Sequence, residues 1–288
     1  MEILIYGLIN SASLALMALG FTLVYGICRL PNFAHGALYV LTGCAAWLLL
    51  HWLGLPYALA LAAALVLIGL AGACLHRFIF ARIRGMAVSE IMASYALGLA
   101  LLEGLRWGGV RGSTFTLPAF AEGSLEIAGV VVDFQRLVLL GAGFLLVAAL
   151  HIFSRYTRLG LALRAVAQDE SAAQTLGIDP RAMGRIALAL GAMLAGAAAL
   201  VLLPLGSIVV EKGYSVLILG VAVCILGGLG SVGGALMAAA LIGFAQTLTT
   251  AWLGSHFQMV IALAAIILTL VLRPSGLRGR QKELAERV

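Results

Sequence analysis

The chain has 288 residues, of which 63% are hydrophobic and only 10% are charged, whereas about 25% of an average soluble domain is charged. A soluble fold of this size cannot keep so much apolar surface from water, so the composition excludes a cytosolic enzyme, a disordered chain and a secreted disulfide scaffold. The net charge of +6 indicates basic cytoplasmic loops rather than a nucleic-acid partner. We predict an all-α polytopic membrane protein, with 1–288 forming a single transmembrane domain.

Nine stretches are long and apolar enough to cross a bilayer, within an expected range of eight to ten helices that includes broken or re-entrant segments. In chain order they are 3–27, 36–53, 57–75, 86–106, 136–153, 185–204, 214–229, 233–253 and 257–272. The seventh stretch is short and interrupted by glycine, which favours a re-entrant segment. The fourth stretch carries Glu90 and Glu103, and we expect Glu103 to pair with Arg106 or Arg136.

Thirteen of the 18 lysines and arginines lie in three parts of the chain. These residues are Arg77, Arg82 and Arg84, then Arg155, Arg158, Arg164, Arg181 and Arg185, and finally Arg273, Arg278, Arg280, Lys282 and Arg287 in the tail 273–288. The positive-inside rule makes all three parts cytoplasmic. With nine spans, the C-terminus is then cytoplasmic and the N-terminus lies on the outer side.

The first break in the apolar pattern is 29–36, which reads Arg-Leu-Pro-Asn-Phe-Ala-His-Gly. Pro31 cannot continue a helix, and broken backbone at membrane depth is tolerated only where it is buried in protein or lines a cavity. Two interpretations remain open: a tight cytoplasmic turn in which Asn32 caps the second span, or a broken segment at the translocation path. In the second interpretation the path residues are Asn32, Phe33, His35 and Gly36.

The second break is 227–234, where five of the eight residues are glycine and a stable helix is excluded. Gly-Ala-Leu stands at 36–38 and again at 234–236, which gives a parallel echo between two halves of the chain. Matching interruptions in two halves are typical of a transporter's central site. The candidate path residues here are Gly227, Gly228, Gly230, Ser231, Gly233 and Gly234.

The third candidate is the cytoplasmic loop 154–184. Residues 160–176 predict one short helix, which Gly177 ends. Asp179 is placed to cap the sixth span, with Pro180 in its first turn. A capped helix in such a loop is typical of a docking element for a partner. The alternative is an interfacial helix that lies on lipid headgroups and is anchored by its arginines.

Four stretches spread over nearly the whole chain carry a family resemblance: NFAHGALY (32–39), LGLALRAVAQDESAAQTLGI (159–178), LGGLGSVGGAL (226–236) and LRPSGLRG (272–279). In these stretches the sequence resembles the permease subunits of bacterial branched-chain amino-acid ABC importers, of the LivH type. The resemblance implies a subunit of the bacterial inner membrane, and the outer side on which the N-terminus is expected is then the periplasm. It also implies a second, LivM-like permease in a heterodimer rather than a homodimer, two cytoplasmic ATP-binding subunits and a periplasmic substrate-binding protein.

The resemblance also implies a role for the cytoplasmic loop. Residues 171–177 look like the EAA-xxx-G loop through which importer permeases contact their ATPases, with Ser171 in place of the glutamate. The implied coupling residues are Arg164, Asp169, Glu170, Ala172, Ala173 and Gly177. The chain has no GxxxxGK[ST] motif and no CxxC pair, so we expect no catalytic role, cofactor or metal. Urea, short amides or other amino acids are alternative substrates, and a secondary transporter is the rival function.

Overall fold

A computed structural model describes residues 1–29, 31–110, 115–127 and 129–279. Within these ranges the helices are α1 (Glu2–Cys28), α2 (His35–His51), α3 (Tyr57–Leu75), α4 (Ala81–Ile83), α5 (Ala87–Trp107), α6 (Phe134–Tyr156), α7 (Arg158–Gln168), α8 (Glu170–Thr175), α9 (Pro180–Leu202), α10 (Glu211–Gly227), α11 (Val232–Leu253) and α12 (Gln258–Leu272). A π-helical turn (His76–Phe80) joins α3 to α4, and 3-10 turns follow α9 (Leu203–Leu205) and precede α12 (Ser255–Phe257). Two strands, β1 (Ser124–Ile127) and β2 (Val130–Asp133), form an antiparallel hairpin in which Ser124 pairs with Asp133.

Each stretch that the sequence predicts as a span is helical. In the described part of the chain, seven helical segments are long and apolar enough to cross a membrane, and α2 is a shorter apolar helix of 17 residues. The third span is longer than predicted, because the π-helical turn carries α3 into α4 and gives a 27-residue segment from Tyr57 to Ile83. The predicted all-α polytopic fold is confirmed, and the β1–β2 hairpin is an addition that no sequence pattern predicts.

The predicted single helix 160–176 is wrong, because it is two helices, α7 and α8, that meet at Asp169. The backbone of Asp169 is extended (φ −152°, ψ 111°), and its carboxylate accepts a hydrogen bond from the Ala172 N–H at 2.9 Å. Asp169 therefore ends one helix and caps the next. Two predicted helix boundaries are confirmed. Gly177, which follows α8, is left-handed at φ 79°, and the Asp179 carboxylate caps α9 by accepting from the Arg181 N–H.

Helix α1 is the centre of the bundle, since it packs against α6, α9, α10 and α11. Its closest contacts are made by residues with little or no side chain. A Cβ atom on Gly20 would lie 2.5 Å from the carbonyl oxygen of Gly191 in α9, and one on Gly243 of α11 would lie 2.7 Å from the Cα of Ser11. Such close backbone approach is the common way in which helices pack in lipid, where no hydrophobic effect drives them together.

Eight helices form two groups with similar packing, and the helices of one group run in the opposite direction to their equivalents in the other. The first group is α1, α2, α3 and α5, and the second is α9, α10, α11 and α12. In the first group α2 packs on α3 and α5, and in the second group α10 packs on α11 and α12. The groups interlock, because α10 and α11 run along α1 while α2 and α3 run along α9. Helices α1 and α9 are antiparallel, since Gly20 approaches Ala195 whereas Val24, further along α1, approaches Gly191. The fold therefore contains an inverted repeat.

The structure contains an inverted repeat and not the parallel repeat that the Gly-Ala-Leu match in the sequence suggests. Gly-Ala-Leu at 36–38 and 234–236 equates the start of α2 with the start of α11, but the equivalent of α2 is α10. In a chain with 35 glycines and abundant alanine and leucine, a match of three residues arises easily by chance.

The arginine-rich regions lie at one end of the bundle. Arg29, at the end of α1, donates hydrogen bonds to the carbonyl oxygens of Ala167 and Gln168 at 3.0 and 3.1 Å. Arg84, just before α5, forms an ion pair of 2.7 Å with Glu170. The tail joins them here through residues 275–279, whereas Arg280, Lys282 and Arg287 lie outside the described residues. We call this the arginine-rich end and the opposite end, with the β1–β2 hairpin, the hairpin end.

The expected pairing of Glu103 is found at the hairpin end. Arg106 binds Glu103 at 2.8 Å and also Glu211, the first residue of α10, at 2.9 Å. Arg136 pairs with Asp133 instead, at 3.2 Å. The carboxylate of Glu103 is thus held at the end of a helix and does not lie in the middle of the bundle.

Candidate functional site

The irregular segment 31–34 lies beside the middle of the bundle. The backbone N–H of Phe33 donates to the Ser94 hydroxyl at 3.2 Å, and a Cβ on Gly98 would lie 3.2 Å from the Phe33 carbonyl oxygen. Ser94 and Gly98 are the eighth and twelfth of the 21 residues of α5. After α1 ends, the chain therefore returns to mid-depth before α2 begins. The segment is broken at this depth, as the second interpretation has it, and is not a tight turn at the helix ends.

Asn32 and His35 hold this segment in place. The Asn32 side-chain oxygen accepts from the Ala34 N–H at 3.1 Å and so holds the turn before α2. Ala34 is the N-cap residue of α2 and no side chain caps the helix, so the cap predicted for Asn32 is not found. The His35 ring is 1% exposed, and its Nε2 lies 3.0 Å from the Met17 carbonyl oxygen of α1. This geometry favours a structural hydrogen bond for His35 rather than a ligand role.

An aromatic cluster covers the segment. The ring of Phe33 packs edge-on against Phe21 and Tyr95, with centroids 6.5 and 6.4 Å away, and Phe21 packs in the same way on His35 at 6.0 Å. Tyr95 is the outer member, with 48% of its surface exposed. The cluster presents a mostly apolar face on the side of α5 that the rest of the chain leaves uncovered.

A second break, which sequence reasoning missed, mirrors the first. Between the 3-10 turn after α9 and the start of α10, the chain is irregular over 206–210. Here α10 begins against α2, because Gly36 and the Gly213 carbonyl oxygen are in backbone contact that leaves no room for a Cβ atom. Pro204, Gly206 and the charged pair Glu211–Lys212 were the available signal, but Pro204 was the last residue of the predicted sixth span and the others fell between that span and the seventh.

The glycine-rich break 227–234 lies elsewhere, at the arginine-rich end. Gly228 and Gly230 have positive φ (96° and 80°), and Ser231 caps α11 by accepting from the Gly234 N–H at 3.1 Å. A Cβ on Gly26, near the end of α1, would lie 3.2 Å from the Gly230 carbonyl oxygen.

The tail covers this turn. The N–H groups of Leu277 and Arg278 donate to the carbonyl oxygens of Leu226 and Gly227 at 2.8 and 3.0 Å. The structure thus brings Asn32, Phe33, His35 and Gly36 together, and separates them from Gly227, Gly228, Gly230, Ser231, Gly233 and Gly234.

A cavity of about 50 Å³ lies where α1, the π-helical turn, α5, α7 and α9 meet. Its polar wall contains Asn32, His76 and Glu90, which are all buried, and its apolar wall includes Val24 and Leu188. The His76 Nδ1 atom has no hydrogen-bond partner among the described residues. A cavity of this size has room for about three water molecules and is too small for an amino acid.

The helices α7 and α8 present a supported element at the arginine-rich end. Leu163 and Val166 are 2% and 6% exposed, so this side of α7 packs on its own chain, whereas Leu159 and Leu161 are each 48% exposed. Of the predicted coupling residues, Ala173 is 1% exposed and anchors α8. The others are at the surface, namely Arg164, Asp169, Glu170, Ala172 and Gly177. Leu176, which the sequence did not single out, is 77% exposed at the end of α8.

Comparison with known proteins identifies the family. The profile of the family described as "Branched-chain amino acid transport system / permease component" matches residues 3–271. The chain is 31% identical to the high-affinity branched-chain amino acid transport system permease protein BraD of Pseudomonas aeruginosa, over 96% of this chain and 95% of BraD. It is 29% identical to the permease protein LivH of Escherichia coli K12, over 95% of this chain and 94% of LivH.

A solved structure has a similar fold. PsaBC from Streptococcus pneumoniae in complex with Fab matches with a TM-score of 0.53 and 13% identity, over 100% of this chain and 96% of that one. At this identity the likeness concerns the fold alone. The apolar helices and the family profile together indicate a multi-pass protein of the inner membrane. The chain belongs to the permease-component family of branched-chain amino acid transport systems.

Proposed function

We propose that this chain is the non-catalytic permease subunit of an ATP-binding-cassette importer that carries branched-chain or related amino acids across the inner membrane. The observation that supports this best is the family match over residues 3–271, with relatives named for branched-chain amino-acid transport. The chain has no GxxxxGK[ST] motif, so two ATP-binding subunits supply the energy. A periplasmic binding protein delivers the substrate, and a LivM-like second permease completes the path.

The arginine-rich end faces the cytoplasm in this proposal. Ten of the 18 basic residues belong to the described parts of the regions that collect there, which is the distribution that the positive-inside rule describes. At the hairpin end, Trp52, Trp107 and Trp252 are 80–86% exposed, as expected for rings that sit at a membrane–water interface. The N-terminus is then periplasmic and the C-terminus cytoplasmic.

The translocation path runs along the aromatic cluster and segment 31–36. Irregular backbone at this depth has to be buried in protein or to line a cavity. The uncovered ring of Tyr95 and the neighbouring Phe33 offer an apolar surface suited to a branched aliphatic side chain. The glycine turn 227–234 serves the packing of α11 and the tail in this proposal, and its six candidate residues do not touch the substrate.

The helices α7 and α8 contact the ATP-binding subunit. Leu163, Val166 and Ala173 are buried in the chain, and the outer face, which includes Ala172 and Leu176, is exposed at the cytoplasmic end. Ala173 is unsuitable for a test of the contact, because a large residue at this buried position would disrupt α8 itself.

A charge at the exposed position tests the proposal. We expect Leu176→Glu to abolish amino-acid uptake and to weaken retention of the ATP-binding subunits during purification, because it places a carboxylate in a desolvated contact. Leu125→Glu, at a 45% exposed position of the hairpin, is the matched control and is expected to behave like the wild type. Normal uptake in the Leu176 variant would remove α8 from the contact.

A second measurement separates the proposed function from its rivals. Uptake into proteoliposomes should require the ATP-binding subunits, and uptake that persists without them would indicate a secondary transporter. Calorimetry with the partner binding protein then identifies the substrate, since urea, short amides and other amino acids are the alternatives within the family.

A further inference from the structure

Arg29 has a backbone conformation that is unusual for an arginine. It follows α1 with φ 55° and ψ 20°, and its N–H closes the helix by donating to the Tyr25 carbonyl oxygen at 2.8 Å. Among the residues that the structure describes, it is the only one other than glycine with a positive φ. Glycine is the usual residue at such a helix end because it adopts this conformation without strain. An arginine here indicates that its side chain is needed.

The guanidinium of Arg29 caps a different helix. Its Nη2 atom donates to the carbonyl oxygens of Ala167 and Gln168, the last two residues of α7. The last carbonyl groups of a helix lack partners within the helix, and they form its negative end. A cation that donates to two of them fixes the end of α7 to the end of α1.

The contact is made at the joint between α7 and α8. Asp169, with extended backbone, separates the two helices directly after Gln168. On the other side of the joint, Glu170 is held by Arg84, which precedes α5. The joint is therefore tied on one side to α1 and on the other side to the start of α5, the two helices between which segment 31–34 lies.

We infer that Arg29 is the positioning residue that transmits movement of the α7–α8 joint to segment 31–34. Arg29 stands two residues before that segment, so a displacement of the end of α7 moves the beginning of the broken stretch with it. Ile27, Cys28 and Val166 all line the small cavity beneath the contact, which gives the elements space to move. The inference rests on the proposed function, since it assigns to Arg29 the internal link between the ATPase contact and the translocation path.

The test uses the complete importer in proteoliposomes. Arg29→Gly removes the guanidinium and keeps a residue that favours the same backbone. We expect this variant to assemble with its partners and to hydrolyse ATP within twofold of the wild-type rate, while the amino acid taken up per ATP falls at least tenfold. Arg29→Lys, which keeps a cation on a shorter side chain without the planar guanidinium, is expected to be intermediate. Arg82→Gln, at an exposed arginine of the same end for which no ion pair is found in the described structure, is the matched control with wild-type coupling.

The outcomes separate the two levels of inference. A wild-type ratio of uptake to ATP hydrolysis in Arg29→Gly would overturn the role of Arg29 and leave the proposed function intact. Failure of both Arg29 variants to assemble would assign the residue to folding, and would also overturn the inference. ATP-independent uptake by the wild-type protein would instead overturn the proposed function.

Discussion

Helices α2 and α10 approach each other closely because Gly36 and Gly213 have a hydrogen atom in place of a side chain. We expect Gly36→Ala to destabilise the protein by about 1–3 kcal/mol, the usual cost of overpacking a filled interior, because its Cβ would overlap the Gly213 carbonyl group. Gly141→Ala in α6 is the matched control, since no atom lies within 4 Å of a Cβ at that position. Thermal unfolding in detergent checks both variants. The control is expected to be neutral or stabilised by up to about 1 kcal/mol, because alanine favours helix over glycine.

An equal loss of stability in both variants would contradict the assigned contact. The expected difference does not depend on helix propensity, which favours alanine in both helices and works against the predicted loss at Gly36.

Residues with a purely local role are predictable from the sequence. Asp179, Pro180 and Gly177 mark helix ends through their own backbone and side-chain chemistry, and each is found in the predicted role. The burial of Ala173 and the contact of Arg29 with α7 depend on residues far along the chain. No local pattern reports such contacts, so these two roles required the structure.

Helix α8 depends on its cap more than a longer helix would. It has six residues, too few to be stable alone, and the Asp169 carboxylate satisfies one of its first N–H groups. We expect Asp169→Ala to weaken α8 by about 1 kcal/mol, whereas Asp169→Asn keeps the cap, since the two residues are equivalent at such positions. Faster amide hydrogen exchange over 170–175 in the alanine variant alone would be the signature. Equal protection in all three proteins would show that packing of Ala173 holds the helix without the cap.

Breaks between elements were harder to predict than the elements. Asp169 stands within a run of good helix formers, Leu161 to Leu176, so helix propensity alone extends α7 through the joint. Around 206–210, Gly206, Ser207 and the charged pair Glu211–Lys212 stand between two stretches that the sequence predicts as spans, and no broken segment is predicted there. The chain instead turns inward there, because α10 begins on the backbone of α2. Hydropathy reports that a segment is not apolar enough to span, but not at which depth it lies.

The described part of the tail closes the arginine-rich end of the whole molecule. Truncation after Leu272 removes the hydrogen bonds from Leu277 and Arg278 to the glycine turn. At about 1 kcal/mol for each bond, and about 2–4 °C for each kcal/mol in a protein of this size, we expect the melting temperature to fall by about 4–8 °C. Truncation after Gly279 keeps every contact described here and is the control. If the protein truncated after Leu272 has the same melting temperature as the full-length protein, the tail does not stabilise the turn.

The inverted repeat cannot be recognised from short stretches of the sequence. The two groups of four helices share a direction-reversed arrangement, but the equivalent starts, His35-Gly36 in α2 and Glu211-Lys212-Gly213 in α10, have different residues apart from the glycine. The order and approximate positions of the apolar helices follow from composition and hydropathy, whereas some of their ends do not, as the third span shows. Which helices are equivalent follows only from the contacts between helices in the structure.

The backbone contact of Gly36 with Gly213 has a mechanical meaning. Neither residue has a side chain that must change rotamer when one helix moves past the other, so this contact between α2 and α10 presents no side-chain barrier to shear. The contact lies between two halves of opposite direction, and in transporters built in this way such halves are related by a twofold rotation about an axis in the membrane plane.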